Sequence, residues 1–255
     1  MRAIYGPVPS WRLGRSLGVD LISGKKVCSF DCIYCQLGKT REKSVKRGVF
    51  VQTDKIRTDL SDLLDTAGSV DIITFSGMGE PTLASNLQDV IEVIRKITDL
   101  PLAILTNSSF LHLKEVQSTL EGIDKVVAKL DASEEELFQR MNRPHASISF
   151  EKLIKGMKEF RRGYEGDFEL QMMFTDENRG YAEAMASLAA EIKPERVEVN
   201  TPLRPCPVKP LGREEIKEIK EIFERKGIDT ISVYESEKIE VEPVNHEEMR
   251  RRRPG

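Results

Sequence analysis

Cys28, Cys32 and Cys35 fall within the single run Cys28-Ser29-Phe30-Asp31-Cys32-Ile33-Tyr34-Cys35 of a chain that holds four cysteines in all. Thiolates spaced this closely can wrap a compact iron–sulfur cubane. A cubane has one more iron than there are cysteines in the run, so one iron is left without a protein ligand. An open coordination position separates a catalytic metal site from a closed structural one.

Spacing alone leaves other readings open. A zinc site needs a fourth ligand, and Cys206, His112, His145 and His246 are the available groups, none in the paired spacing of structural zinc. Three thiols with no metal is the reading that suits scattered positions, whereas these are clustered. A disulfide framework is disfavoured in a chain of 255 residues without a signal-peptide pattern at its start.

A second run, Phe75-Ser76-Gly77-Met78-Gly79-Glu80-Pro81, follows an apolar stretch. Its glycines let backbone approach a ligand closely, and Glu80 offers a charge-assisted acceptor. Taken alone, such a run is also what an ordinary turn after a strand looks like; its place after the cysteine loop is what gives it weight.

Together these two runs resemble the cluster loop and the Gly-Gly-Glu-type motif of the radical S-adenosylmethionine (SAM) superfamily. Tyr5-Gly6-Pro7-Val8-Pro9-Ser10, Leu13-Gly14-Arg15-Ser16-Leu17-Gly18 and Gln36-Leu37-Gly38 further resemble a small group within it. That group is related to tRNA wybutosine-synthesising enzymes and, more distantly, to molybdenum-cofactor biosynthesis protein A. The likeness runs from Tyr5 to the Arg204-Pro205 region. It implies a [4Fe–4S] cluster held by Cys28, Cys32 and Cys35, with SAM on the free iron, and an oxygen-sensitive protein. It further implies a low-potential electron donor such as a ferredoxin or flavodoxin, and cleavage of SAM to methionine and a 5′-deoxyadenosyl radical that attacks a substrate. It places Tyr34 against the adenine and Glu80, flanked by Gly77 and Gly79, near the ammonium of SAM. RNA is among the substrates it allows, beside a protein side chain or a cofactor precursor. The four cysteines leave too few for a second complete cluster, a departure from the wybutosine pattern.

The elements that must position these residues alternate between apolar runs and helix-period segments, the pattern of βα units around a parallel sheet. Strands are expected near 18–22, 70–75, 102–105, 125–129, 169–174 and 195–199. Helices are expected near 54–66, 87–98, 111–120, 133–140, 150–161, 181–192 and 213–226. Six such units predict an α/β fold, a partial (β/α)6 TIM-like barrel spanning residues 1–236 with the cluster loop at 24–38. A short charged C-terminal tail, 237–255, follows. Ligands of such barrels gather at the carboxyl ends of the strands. That rule nominates Asn107 and Ser108 after the third strand and Asp131 after the fourth, each as apt to cap a helix as to touch a ligand. By family analogy Lys129 and Asp131 become SAM contacts, and Arg143 is a candidate for the SAM carboxylate against the plain reading of a solvated loop arginine. Cys206, between Pro205 and Pro207, is a candidate hydrogen donor to a substrate radical, or an ordinary loop thiol.

With 39% hydrophobic residues and a formal net charge of −3, the chain can bury a substantial core, and its overall acidic balance argues against a broad nucleic-acid face. Arg250-Arg251-Arg252-Arg253 is a short basic run that suits RNA phosphates or a solvated end. No apolar stretch is long enough to span a bilayer, so the expected location is the cytoplasm. A competing reading is a non-catalytic iron–sulfur or zinc protein that senses redox state or docks a partner through the basic tail. Glu80 discriminates the two, because a sensor has no use for an acidic glycine-rich motif facing the cluster.

Overall fold

A computed structural model describes residues 2–22, 24–64, 66–235, 241 and 244–252. One sheet of eight strands organises them, in the order β1 (Ile4–Ser10), β2 (Gly14–Val19), β3 (Ile72–Phe75), β4 (Leu102–Thr106), β5 (Lys125–Lys129), β6 (Asp167–Met173), β7 (Arg196–Asn200) and β8 (Thr230–Ser232). The hairpin β1–β2 is antiparallel, and every later neighbour is parallel. The helices α1 (Thr53–Leu64), α2 (Leu87–Ile97), α3 (Lys114–Leu120), α4 (Glu135–Asn142), α5 (Phe150–Gly163), α6 (Ala182–Ile192) and α7 (Arg213–Arg225) fill the crossovers, and α8 (His246–Arg252) follows β8.

Burial explains the assignment. Ile72, Ile73, Thr74 and Phe75 are all buried, as expected of a parallel strand covered on both faces. Helix α2 buries Leu87, Val90, Ile91, Val93 and Ile94, a stripe at helical spacing that packs on the sheet. The six predicted βα units stand, from β2–α1 to β7–α7. They form the partial barrel, with β1 and β8 added at its edges.

Three features depart from the expected elements. The first parallel strand lies at 14–19, not 18–22. Polar Ser16 is buried because its hydroxyl meets that of Thr74 at 2.7 Å, while Asp20 turns the chain by accepting from the Ile22 amide at 3.0 Å. Strand β1 was hidden by Pro7 and Pro9, which a sheet edge tolerates. Helix α8 has no apolar stripe, and within the predicted tail it packs on β1 with Arg252 fully buried. Of the predicted tail, 237–240, 242, 243 and 253–255 lie outside the described residues.

Candidate active site

The cysteine loop leaves the carboxyl end of β2 and is clamped from two sides. On one side Val27 forms a parallel bridge with Gly79: the Val27 amide donates to the Met78 carbonyl at 3.0 Å, and the Glu80 amide to the Val27 carbonyl at 3.1 Å. On the other, the amides of Asp31 and Ile33 donate to the carbonyls of Asn142 and Met141, each at 3.0 Å, which ties the loop to the end of α4. Phe30 is buried edge-on against Phe138, with ring centroids 5.3 Å apart. Tight turns then present the sulfurs: the Cys35 amide donates to the Cys32 carbonyl at 3.1 Å and the Gly38 amide to that of Cys35 at 3.0 Å.

Each of the three half-buried thiols faces a side-chain nitrogen donor. Asn107 Nδ2 lies 3.5 Å from Cys28 Sγ, Asn142 Nδ2 3.4 Å from Cys32 Sγ, and Lys26 Nζ 3.2 Å from Cys35 Sγ. Donors aimed at sulfur suit thiolates bound to iron. Burial opposes ionisation: the Cys28 thiol is pushed up to about 12, with Cys32 and Glu80 adding repulsion, and that of Cys32 to about 11. Holding the two as thiolates therefore calls for positive charge among the sulfurs, which iron brings. Among the described residues no three His, Cys, Asp or Glu side chains converge on one ion.

The second motif is packed directly on this loop. A Cβ at Gly79 would stand 1.7 Å from the Val27 carbonyl oxygen, and one at Gly77 2.2 Å from Asp20 Cγ. Both glycines are therefore required by close approach of protein to protein. Glu80 is buried, and its carboxylate is committed to protein donors: Thr82 Oγ1 at 2.6 Å, Thr106 Oγ1 at 2.7 Å, and the amides of Asn107 at 2.6 Å and Thr82 at 3.1 Å. Burial raises its proton affinity, while the four donors act in the opposite direction. Glu80 thus braces the end of β3 against the end of β4.

Four sequence-nominated residues gather in a second knot. The Tyr34 hydroxyl donates to Asp131 Oδ2, and Asn142 Nδ2 donates to both, at 3.0 and 2.8 Å. Asp131 Oδ1 accepts from the Met173 amide at 2.7 Å. Lys129 Nζ lies over the Tyr34 ring, 4.9 Å from its centroid, and 3.5 Å from Asp131 Oδ1. Burial, then the charge of Asp131, holds the Tyr34 phenol far above its ordinary value. Ser108, at φ 71°, donates to the Lys129 carbonyl at 3.1 Å.

Arg143 and Cys206 stand apart from these knots. Arg143 ends α4 in the left-handed region with its side chain 56% exposed, 3.9 Å from Asp31 Oδ2. The Cys206 thiol donates to the Val208 carbonyl of its own loop at 3.2 Å. Sequence reasoning missed Lys26 and Asn142 as sulfur donors, and Asp20, whose Oδ1 accepts from the Met78 amide at 3.2 Å. Asn142 adjoins the nominated Arg143, and proximity to that run was the only available signal.

Residues 22–189 match the family model described as the radical SAM superfamily. The chain belongs to that superfamily. It is 42% identical over 218 residues to a UPF0026 protein of Synechocystis, covering 83% of this chain and 78% of that protein. It is 25% identical over 150 residues to a probable GTP 3′,8-cyclase of Saccharolobus islandicus, 58% of this chain and 44% of that one. In structure it is similar to a radical SAM methyltransferase from Sphaerobacter thermophilus, with a TM-score of 0.63 at 17% identity, covering 85% of this chain and 65% of that one. This last likeness bears on the fold. Membership makes this radical SAM protein an enzyme that depends on SAM and an iron–sulfur cluster. No helix among the described residues is long and apolar enough to cross a membrane.

Proposed function

We propose that this enzyme holds a [4Fe–4S] cluster on Cys28, Cys32 and Cys35 and cleaves SAM reductively to methionine and a 5′-deoxyadenosyl radical, which abstracts hydrogen from a substrate. The observation that carries this reading is the set of three half-buried thiols, each with its own nitrogen donor, packed through Val27 onto the glycine motif at the next strand end. When bound, the cluster supplies the single low-potential electron that splits the sulfonium.

The protein's own part is to hold, orient and shield. Lys26, Asn107 and Asn142 direct N–H groups at the three sulfurs. Gly77 and Gly79 let the motif loop seat directly on Asp20 and Val27, which fixes where its backbone stands beside the cysteine loop. Tyr34, Asp131 and Asn142 lock one another, and Lys129 caps the tyrosine ring, which fixes the wall beside the cysteines. A radical needs a dry pocket, and the buried strand ends provide its walls. The substrate is an RNA base, a protein side chain or a cofactor precursor, and a reducing compartment such as the cytoplasm suits this chemistry.

Anaerobic reconstitution tests the reading. The reduced protein should give a cubane paramagnetic resonance signal that changes when SAM is added, with 5′-deoxyadenosine formed in the same tube, and Cys32→Ala should lose both. Deoxyadenosine formation by Cys32→Ala at the wild-type rate would refute the cluster assignment.

A further inference from the structure

Segment 24–48, which contains the cysteine loop and the strip packed beside it, carries seven Lys or Arg against two Asp or Glu, although the whole chain has a formal net charge of −3. Three of the seven are spent locally: Lys26 donates to Cys35 Sγ and, at 2.5 Å, to the Gly38 carbonyl. Lys43 reaches the carbonyls of Arg143 and Pro144, and Arg47 those of Thr82 and Ala84 together with Glu115. The other four, Lys25, Lys39, Arg41 and Lys46, are exposed, and their side chains have no hydrogen-bond or ion-pair partner among the described residues. The strip lies against the cysteines themselves, since Cys28 bridges to Lys43 and the Ser44 amide donates to the Cys28 carbonyl at 3.0 Å. At its end Val49 and Phe50 are 48% and 36% exposed, an apolar step beside the cations.

We propose that this surface is the docking site of an acidic one-electron carrier protein. The inference rests on the cluster chemistry proposed above, which consumes one electron per SAM cleaved and holds no internal source for it. The carrier must be oxidised within reach of the cysteines, and the surface that adjoins them is cationic and unpaired. Opposite charge on the partner steers encounter and fixes orientation, while exposed apolar groups such as Phe50 give the contact its dry centre. A chain that is acidic elsewhere repels such a carrier from its other faces, which sharpens the preference for this one.

The test uses the triple variant Lys39→Glu, Arg41→Glu, Lys46→Glu, none of whose side chains bonds to a cysteine. Flavodoxin serves as probe in two assays: direct binding to the reconstituted protein, and deoxyadenosine formation driven by reduced flavodoxin or by dithionite. The expected result is a loss of about tenfold or more in flavodoxin binding and flavodoxin-driven turnover, steeper for the wild type as salt rises, with dithionite-driven turnover unchanged. Unchanged flavodoxin binding in the variant would overturn the proposal. So would equal losses with both reductants, which mean a damaged site, or a loss of bulk tRNA binding with flavodoxin binding intact, which would assign the surface to RNA. Failure of the wild type to cleave SAM with dithionite would sink the cluster reading instead, and the binding assay would still decide the docking surface.

Discussion

Arg252 Nε lies 2.7 Å from Asp20 Oδ2, and neither side chain is exposed. Asp20 Oδ1 meanwhile accepts from the Met78 amide, and Gln36 Nε2 donates to the Arg252 carbonyl at 3.0 Å. The last described helix therefore touches the cysteine loop directly and reaches the glycine motif through Asp20. Removing one partner of a buried pair strands the other charge, at a cost of about 3–5 kcal/mol. Arg252→Gln should lower the melting temperature markedly and weaken SAM binding, and adding Asp20→Asn should recover part of the stability. A thermal melt with SAM titration decides it, and a neutral Arg252→Gln would remove the helix from the site's support.

Gly79→Ala should be far worse than its size suggests. The new methyl group has only the Val27 backbone to displace, and Val27 opens the cysteine loop. The variant should fold with a disordered loop or not at all, and retain little iron after reconstitution. Gly48→Ala, where a Cβ meets nothing within 4 Å, is the control and should reconstitute normally. Equal iron and sulfide in the two proteins would contradict the packing argument.

Asn142→Leu removes the N–H directed at Cys32. Such a bond stabilises the more negative, reduced cluster, so its loss should shift the midpoint potential downward. Potentiometry followed by paramagnetic resonance reads this independently of turnover. A midpoint equal to or above that of the wild type would show that the asparagine serves only Tyr34 and Asp131.

In the barrel interior Glu198 is fully buried beside Arg12, whose Nη1 is 3.1 Å from its Oε2. Burial pushes its carboxyl up to about 7, against the pull of Arg12 and with the repulsion of Glu169. The folded state then keeps a proton that the unfolded chain has lost, so stability is greatest below the ordinary carboxylate value of 4.5 and falls as pH rises to about 7. Over this interval Glu198→Gln should lose less melting temperature than the wild type. Parallel curves for the two proteins would mean that Glu198 is ionised throughout.

The βα alternation was legible because apolar runs and helical stripes repeat along the chain, as the buried β3 run and the α2 stripe show. The cysteines were legible through spacing. Residues whose meaning depends on a distant partner were not: Asp20 and Arg252 are 232 positions apart, and nothing local marks an arginine in a basic run as buried. Glu80 was found as a residue and its ligand role proposed by likeness, yet its four donors come from Thr82 and from the end of β4, which only the fold brings to it. Arg143 and Cys206 drew attention through motif position, and their side chains lie outside the two knots.

Asn107 gives its backbone amide to Glu80 and its side-chain amide to Cys28 and Ser29, the latter at 2.8 Å. One residue at the end of β4 thus bonds to both loops, so ordering either loop lowers the entropy lost in ordering the other. Were the proposed cluster to order the cysteine loop and SAM the glycine motif, cluster loading and SAM affinity would share a coupling free energy, each strengthening the other by the same factor. The two cofactors would be taken up as a cooperative pair.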